Sequence, residues 1–252
     1  MSFFKKISTR WTGEQLASWS SMSKTLYLLF PLLVYYLVGD LVEIILWWVL
    51  NKSFEGASPE TIEKVSAFGS TIQGMIYGIG LLVGAAIIWR AAMEEVTFIP
   101  AGEEKARMKP VEYIIVIVAG LVFSIGLNYL FNVLGITGAS ESFQSVRKAQ
   151  FSVDFLAGIF LYGVLSPVVE ELIFRGLLFN RLKRIFPRVA AIILSALLFG
   201  IFHGNLVQGT YAFIMGVIIA LLYEKYKSFW APIVFHVVAN VGVYVLQYTI
   251  WK

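Results

Sequence analysis

The sequence has no cysteine, only two histidines and few charged side chains, which make up 14% of its 252 residues. The lack of cysteine excludes disulfide bonds, thiolate metal ligands and cysteine nucleophiles. The low charge content is unlike that of soluble domains, where about a quarter of the residues are charged. Binding to nucleic acid is not indicated, because the net charge of +4 is small and no basic stripe interleaved with aromatic residues occurs.

Hydrophobic residues are abundant instead, at 58% of the chain, and they occur in long runs. A run of about 20 apolar residues crosses the ~30 Å hydrocarbon core of a bilayer as a helix. We therefore predict an integral, multi-pass membrane protein with an all-α fold, a polytopic transmembrane helix bundle of seven or eight spans. The fourth run contains Pro167 and is predicted to form one kinked helix or two helices. The predicted spans are roughly 25–49, 70–92, 111–135, 153–184, 188–204, 207–223 and 229–250.

Three parts of the chain are distinguished by this pattern: a cytoplasmic N-terminal segment (1–24), N-terminal transmembrane helices and loops (25–152), and a C-terminal transmembrane core (153–250). Most lysines and arginines fall at one set of predicted helix ends, and the positive-inside rule places those ends and the N-terminus in the cytoplasm. The polar connections are predicted to hold short surface helices.

Three features of the N-terminal half carry more specific expectations. Four glycines of the second span recur at spacings of four residues, which predicts close helix packing; they are Gly74, Gly78, Gly80 and Gly84. Four loop glutamates are expected to be solvated, namely Glu94, Glu95, Glu103 and Glu104. Asp40 and Glu43 lie in the first span, where we expect an interfacial or hydrogen-bonded location, with the lining of a substrate path as the alternative.

Ionisable side chains inside a bilayer are costly, so they mark function or a committed ion pair. Here they concentrate in the last hundred residues. Glu170, Glu171 and Arg175 share one predicted helix, and both histidines of the chain, His203 and His236, lie in or beside later apolar spans.

Counting along the helices brings these groups to similar depths. Glu170 and His203 each lie about 16 residues from the predicted turn at 185–187, which at 1.5 Å per residue is roughly 24 Å from one membrane surface. On the same count Asn240 lies ~20 Å deep and His236 ~14 Å deep. Three separate helices are thereby predicted to meet at one site.

Helical spacing then separates the two neighbouring glutamates. Glu171 and Arg175 are four residues apart, so they can form an ion pair on one helix face. Glu170 is rotated by about 100° onto another face. We therefore expect Glu171–Arg175 to be structural and Glu170 to be the free base.

The chemistry available at this site is that of an activated water. Glu170 can take a proton from water, and His203 can share that water. Asn240 can donate a hydrogen bond to an oxyanion, and His236 can do the same or orient the water. These groups predict hydrolysis of a peptide or amide.

The same residues form three motifs that resemble those of the CAAX-protease and bacteriocin-processing membrane proteins. That family includes the type II CAAX prenyl endopeptidases and abortive-infection-like bacterial proteins. The resemblance covers roughly residues 153–247. The motifs, all in order, are Glu170-Glu-Leu-Ile-Phe-Arg175, Phe199-Gly-Ile-Phe-His203 and His236-Val-Val-Ala-Asn240.

The resemblance implies an intramembrane glutamic-type endopeptidase in a bacterial cell membrane. It implies that Glu170 activates water, that His203 assists, and that His236 and Asn240 stabilise the oxyanion. Glu171, Arg175 and Phe199 are expected to support these residues. The implied partners are a hydrophobic or lipidated peptide and membrane lipids, and family members also process bacteriocins.

Three alternatives remain open from the sequence. Glu170, His203 and His236 could hold zinc with one open position, although no His-Glu-x-x-His helix occurs and catalysis without a cofactor is favoured. A non-enzymatic bacteriocin-immunity or partner-binding protein would keep the polar cluster as contacts between helices. A transporter is also conceivable, but the chain has no inverted repeat.

Overall fold

The computed structural model of the chain describes residues 9–98 and 107–251. The expectations for Glu103 and Glu104 lie outside these residues, as do residues 1–8 of the predicted N-terminal segment. Within the described ranges the chain forms ten helices and no β-strand. The helices are α1 (Gly13–Ala17), α2 (Ser21–Ser53), α3 (Pro59–Ser66), α4 (Gly69–Val96), α5 (Pro110–Val133), α6 (Glu141–Phe151), α7 (Phe155–Leu182), α8 (Arg188–Ile201), α9 (Leu206–Tyr226) and α10 (Trp230–Trp251).

Each of the seven predicted apolar segments is helical. Among the described residues, six helices are long and apolar enough to cross a membrane, namely α2, α4, α5, α7, α9 and α10. Helix α8 has 14 residues, so it is only about 21 Å long, less than the ~30 Å hydrocarbon core. The chain is thus an integral membrane protein built as a helix bundle, and length supports six of the seven or eight predicted crossings.

Local sequence signals explain where several helices begin and end. The Asp154 carboxylate accepts a hydrogen bond from the Leu156 backbone amide at the start of α7, and Asn205 caps α9 in the same way through the amide of Gln208. Pro187 immediately precedes α8, as its fixed φ angle predicts. Lys227 ends α9 in a left-handed conformation with φ of 48°.

Helix α7 is a single helix rather than two. Its central α-helical turn, Ser166–Glu171, is flanked by two π-helical segments, Ile159–Leu165 and Leu172–Phe179. Pro167 lies in the central turn and has no backbone N–H to donate to the preceding turn. The wider π-helical turn before it accommodates this missing hydrogen bond. Such π-helical turns are rare and often lie at functional sites.

The predicted close packing of the glycines in α4 is confirmed. A Cβ atom on Gly84 would lie 2.8 Å from the Tyr35 carbonyl oxygen of α2, and one on Gly80 would lie 3.0 Å from the carbonyl oxygen of Gly39. Cβ atoms on Gly74 and Gly78 would lie 3.0 and 2.6 Å from the Leu161 side chain of α7. The absence of side chains therefore allows α4 to approach both α2 and α7.

The polar connections do hold surface helices, α3 and α6, but the expectation of a solvated Glu95 was wrong. Glu95 is only 5% exposed. Its carboxylate lies 2.6 Å from Arg184 Nη2, 3.3 Å from Arg181 Nε and 3.6 Å from Arg10 Nε. The last turn of α4 packs against the end of α7, so the glutamate faces arginines that sequence spacing does not connect to it.

Helices α8 and α9 cross with their backbones in contact. A Cβ atom on Gly200 would lie 2.6 Å from the Gly209 carbonyl oxygen, and one on Gly209 would lie 2.9 Å from the carbonyl oxygen of Gly200. This crossing lies three residues before His203, so it fixes the position of the turn that carries the histidine.

We expect Gly200→Ala to lower the free energy of unfolding by about 1–3 kcal/mol, the usual effect of overpacking a close contact. The measurement is denaturant or thermal unfolding in detergent micelles. Gly126→Ala in α5 is the matched control, because a Cβ atom there would meet nothing within 4 Å. Equal destabilisation by both changes would contradict the proposed backbone contact.

Candidate active site

One cavity of about 520 Å³ lies within the bundle and is lined by all four predicted catalytic residues. They come from three places in the chain: Glu170 from the central turn of α7, His203 from the turn after α8, and His236 and Asn240 from α10. Helices α2, α4 and α6 supply further walls. The structure therefore brings together the side chains that the depth argument placed at a common site.

Glu171 and Arg175 form a fully buried ion pair beneath this cavity. Arg175 Nη1 donates to Glu171 Oε1 over 2.8 Å, and neither side chain is exposed. Arg175 Nη2 also donates to the Gly216 carbonyl oxygen of α9 at 3.1 Å, and the guanidinium lies 4.5 Å from the ring centre of Phe199. The pair thus joins α7 to α8 and α9.

The same glutamate orients His236. Because a carboxylate accepts hydrogen bonds, His236 Nδ1 donates to Glu171 Oε1, at 2.7 Å. In the neutral ring this leaves His236 Nε2 as an acceptor, and that nitrogen lies 3.7 Å from Glu170 Oε2. This separation is too long for a direct hydrogen bond, and one water molecule can bridge it. Glu171 is therefore more than a partner of Arg175, which spacing alone did not predict.

A hydrogen bond from Nδ1 also fixes the ring of His203. Its Nδ1 donates to the Phe199 carbonyl oxygen at 2.8 Å, since a carbonyl can only accept, and the neutral ring again keeps Nε2 as an acceptor. The ring of Phe199 lies edge-to-face with the rings of both His203 and His236, at centroid distances of 4.9 and 5.6 Å. Phe199 therefore holds two imidazoles on one wall of the cavity.

Asn240 is held by the first π-helical segment of α7. Its side-chain nitrogen donates to the Tyr162 carbonyl oxygen at 3.1 Å. An amide nitrogen carries two N–H groups, so this contact leaves one of them for a ligand in the cavity.

Two residues of the site escaped the sequence analysis. The Ser166 hydroxyl donates to Glu170 Oε1 at 2.6 Å, and Tyr77 of α4 contacts that hydroxyl at 3.2 Å. Ser166 precedes Glu170 by one helical turn, so its spacing offered a signal. Tyr77 offered none, because it arrives from a distant helix through tertiary packing.

Charged residues from the N-terminal half also line the cavity. Asp40 and Glu43 face it from α2. This position fits the alternative expectation, the lining of a substrate path, better than an interfacial or hydrogen-bonded location. Arg147 of the surface helix α6 is the one lysine or arginine among the described lining residues. Partial burial lowers the pKa of Arg147 from its ordinary value, yet an arginine stays charged near neutral pH.

The donors for a metal ion are not gathered at one point. Among residues 9–98 and 107–251, no three histidine, aspartate or glutamate side chains are close enough together to hold a metal ion. The Nδ1 hydrogen bonds of His203 and His236 to Phe199 and Glu171 leave both Nε2 atoms available, so the separation of the donors, not their orientation, departs from a metal site. The arrangement of Glu170, His203 and His236 does not fit the zinc site that the sequence left open.

Comparison with known proteins bears on the part of the chain that holds these residues. Residues 152–242 match the family profile described as "Type II CAAX prenyl endopeptidase Rce1-like". Over this Rce1-like segment the chain is similar to the type II CAAX prenyl endopeptidases. Glu170, His203, His236 and Asn240 all lie within this Rce1-like segment.

Two curated relatives match over similar lengths. The chain is 31% identical over 115 residues to the "Putative membrane peptidase YdiL" of Bacillus subtilis (strain 168), which is 46% of each chain. It is 35% identical over 95 residues to the "Membrane-embedded CAAX protease MroQ" of Staphylococcus aureus (strain USA300), covering 35% of this chain and 38% of the relative. The match spans less than half the length of these relatives. No solved structure matches the chain significantly.

The buried ion pair of the Rce1-like segment gives a direct test of its structural role. Arg175→Ala leaves the Glu171 charge without its main partner, and we expect the free energy of unfolding to fall by about 3–5 kcal/mol. Unfolding in detergent micelles, followed by tryptophan fluorescence, measures the change.

Arg90→Ala is the matched control. Arg90 pairs with Glu94 at the same helical spacing, but its side chain is 87% exposed. An exposed pair of this kind contributes about 0.3–0.5 kcal/mol. Similar losses for the two variants would show that burial of the Glu171–Arg175 pair is not what stabilises the bundle.

Proposed function

We propose that the protein is an intramembrane endopeptidase that hydrolyses a hydrophobic or lipidated peptide by glutamate-activated water, without a metal. The observation that carries this proposal is the contact geometry of Glu170. Its Oε1 atom accepts a hydrogen bond from Ser166, while Oε2 lies 3.7 Å from the acceptor nitrogen of His236. A water molecule between these two acceptors can donate one hydrogen to each.

The proposed reaction begins with that water. Glu170 removes one proton while the water oxygen attacks the carbonyl carbon of the scissile amide. The oxyanion accepts a hydrogen bond from the N–H of Asn240 that is not bound to Tyr162. Collapse of the tetrahedral species breaks the C–N bond, and the proton that Glu170 took from water passes to the leaving amine, either directly or after transfer to Nε2 of His203.

The residues divide between chemistry and orientation. His236 orients the attacking water, since Glu171 fixes its Nδ1–H and thereby its tautomer. His203 presents Nε2 to the cavity and assists proton transfer. Burial of Glu171 and Arg175 keeps this second acid out of the reaction, so one glutamate serves as base and its neighbour holds the architecture.

The proposed substrate class follows from the surroundings of the cavity. It lies in a bundle whose outer surface exposes apolar side chains, such as Leu37, Ile44 and Val122, to lipid. Tyrosine and phenylalanine side chains line much of its wall, including Tyr35, Tyr36, Tyr211 and Phe174. An apolar peptide segment is compatible with such a wall. The relative from Staphylococcus aureus is named as a CAAX protease, which supports the same substrate class.

The experiment begins with identification of a substrate. Membrane peptides are compared between cells that make the wild-type protein and cells that make Glu170→Gln. A peptide that accumulates in the variant is synthesised and tested in proteoliposomes. We expect Glu170→Gln to reduce turnover by about 10²–10⁴-fold, the usual contribution of a general base.

Controls separate this proposal from its alternatives. Glu94→Gln removes an exposed carboxylate and should turn over peptide at the wild-type rate. A chelator should have no effect, whereas inactivation reversed by zinc would support the metal mechanism. Unchanged peptide profiles and a preserved biological effect in Glu170→Gln would sink the protease proposal and favour a non-enzymatic immunity or partner-binding role.

Ser166 is proposed as a positioning residue that acts through Glu170. We expect Ser166→Ala to lower kcat about tenfold or more, since a hydrogen bond to a charged group contributes about 1.5–3 kcal/mol. KM should change little, because Ser166 is only 5% exposed and its hydroxyl is bonded to Glu170. Ser166→Thr retains the hydroxyl and should recover most of the rate.

Ser124→Ala is the matched control for this substitution. Ser124 is also fully buried, but its hydroxyl donates to the Leu121 carbonyl oxygen. A purely structural role for Ser166 would give equal losses for both alanine variants, without rescue by threonine.

A further inference from the structure

A second large groove lies on another face of α7. Its volume is about 1110 Å³, and among the described residues it shares no lining side chain with the active-site cavity. It opens where α4, α7 and α9 end and where α10 begins. Its inner walls are apolar and include Leu82, Leu165, Val168, Leu172 and Ile233.

The outer end of this groove is strongly cationic. In the part of the chain that the structure describes, five cationic side chains and two carboxylates line it. The carboxylates belong to Glu95 and Glu224, and the cations to Arg10, Lys183, Arg184, Arg188 and Lys227. The described lining of this end is therefore positively charged even when both of these carboxylates are ionised.

The ion pairs at this end do not neutralise all five cationic side chains. Glu224 is shared by Lys183 and Arg188, at 2.7 and 2.8 Å, and Glu95 is shared by Arg10 and Arg184. The Nε atoms of both of these arginines are buried and are shielded from an external anion, whereas the Arg188 side chain is 70% exposed. Lys227 is exposed at the end of α9. The groove end thus retains donors and positive charge for an external anion.

The position of the groove matches one leaflet of a bilayer. Trp89 and Trp230 flank it and are 54% and 60% exposed, and tryptophans concentrate at membrane–water interfaces. The apolar wall reaches from the end of α4 back to Leu82, fourteen residues or about 21 Å. Half of the hydrocarbon core is about 15 Å thick. The cationic end therefore lies near the headgroups, with the apolar part extending inward.

We propose that this groove binds an anionic phospholipid of the surrounding leaflet. The phosphate lies at the cationic end, and an acyl chain lies along Leu82, Leu165 and Val168. A phospholipid satisfies both ends of the groove, whereas a soluble anion satisfies only the charged end. Basic pockets between transmembrane helices are a known form of anionic lipid site.

The test uses the full chain, delipidated in a neutral detergent. Native mass spectrometry measures retained lipid after addition of phosphatidylglycerol or of phosphatidylcholine with the same acyl chains, and thermal unfolding measures stabilisation. We expect retention and stabilisation by phosphatidylglycerol, and neither by phosphatidylcholine nor by inorganic phosphate.

Substitutions locate the binding. Lys227→Asn suits the left-handed backbone at this position, and it and Arg188→Gln should each reduce retention by about fivefold, the usual effect of one basic residue near an anionic membrane surface. Lys225→Asn removes the same charge two residues away, outside the groove lining, and should change nothing. Ala86→Trp adds bulk at an exposed position of the apolar wall and should displace the lipid without altering charge.

Three results would overturn the proposal. The first is equal retention of the neutral and anionic lipids, and the second is an equal effect of Lys225→Asn and Lys227→Asn. The third is reproduction of the thermal stabilisation by phosphate alone, which would identify a simple anion site. If Lys227→Asn unfolds in detergent, Ala86→Trp still tests the apolar part of the groove and Arg188→Gln still tests its cationic end.

Discussion

The active-site region depends on a single buried carboxylate. Glu171 accepts hydrogen bonds from Arg175 and His236 on the same oxygen, and Arg175 continues to the carbonyl of Gly216. Three helices, α7, α9 and α10, are tied together by these contacts. An ion pair removed from water is retained only where its geometry and hydrogen bonds offset the cost of desolvation. Because that geometry also fixes the tautomer of His236, the stability of the bundle and the orientation of a reactive nitrogen rest on the same charge.

The adjacency of Glu170 and Glu171 explains how one short segment serves two purposes. Successive helical residues are separated by about 100°, so one carboxylate faces the core and the other faces the cavity. The buried glutamate has a fixed cation, whereas Glu170 has a neutral hydroxyl from Ser166 and a histidine nitrogen nearby. A base needs an accessible lone pair, and Oε2 of Glu170 keeps one. Phe199 completes the arrangement by supporting Arg175 on one side and both imidazoles on the other.

Much of this architecture was predictable from patterns within single segments. Apolar runs predicted the helices, and the four-residue spacing predicted the Glu171–Arg175 pair. Depth counting predicted that Glu170 and the two histidines would line one cavity. The parts that were missed depend on tertiary contacts. Tyr77 reaches Ser166 across 89 positions of sequence, and Glu95 is buried beside Arg10, Arg181 and Arg184 from two other parts of the chain. The π-helical segments were not predicted, because the spacing of apolar residues does not show where a helix changes from α-helical to π-helical hydrogen bonding. The short α8 was predicted as a full span because apolar character alone does not fix helix length.

Helix α7 connects the two cavities. Ser166 and Glu170 line the active-site cavity, while Leu165, Val168 and Leu172, on the intervening faces, line the cationic groove. The α-helical turn that carries Glu170 lies between two π-helical segments, where the regular backbone ladder is interrupted. Its side chains face both cavities, with Ser166 and Glu170 in one and Val168 in the other. A phospholipid bound in the groove as proposed would therefore pack against the turn of α7 that carries Glu170.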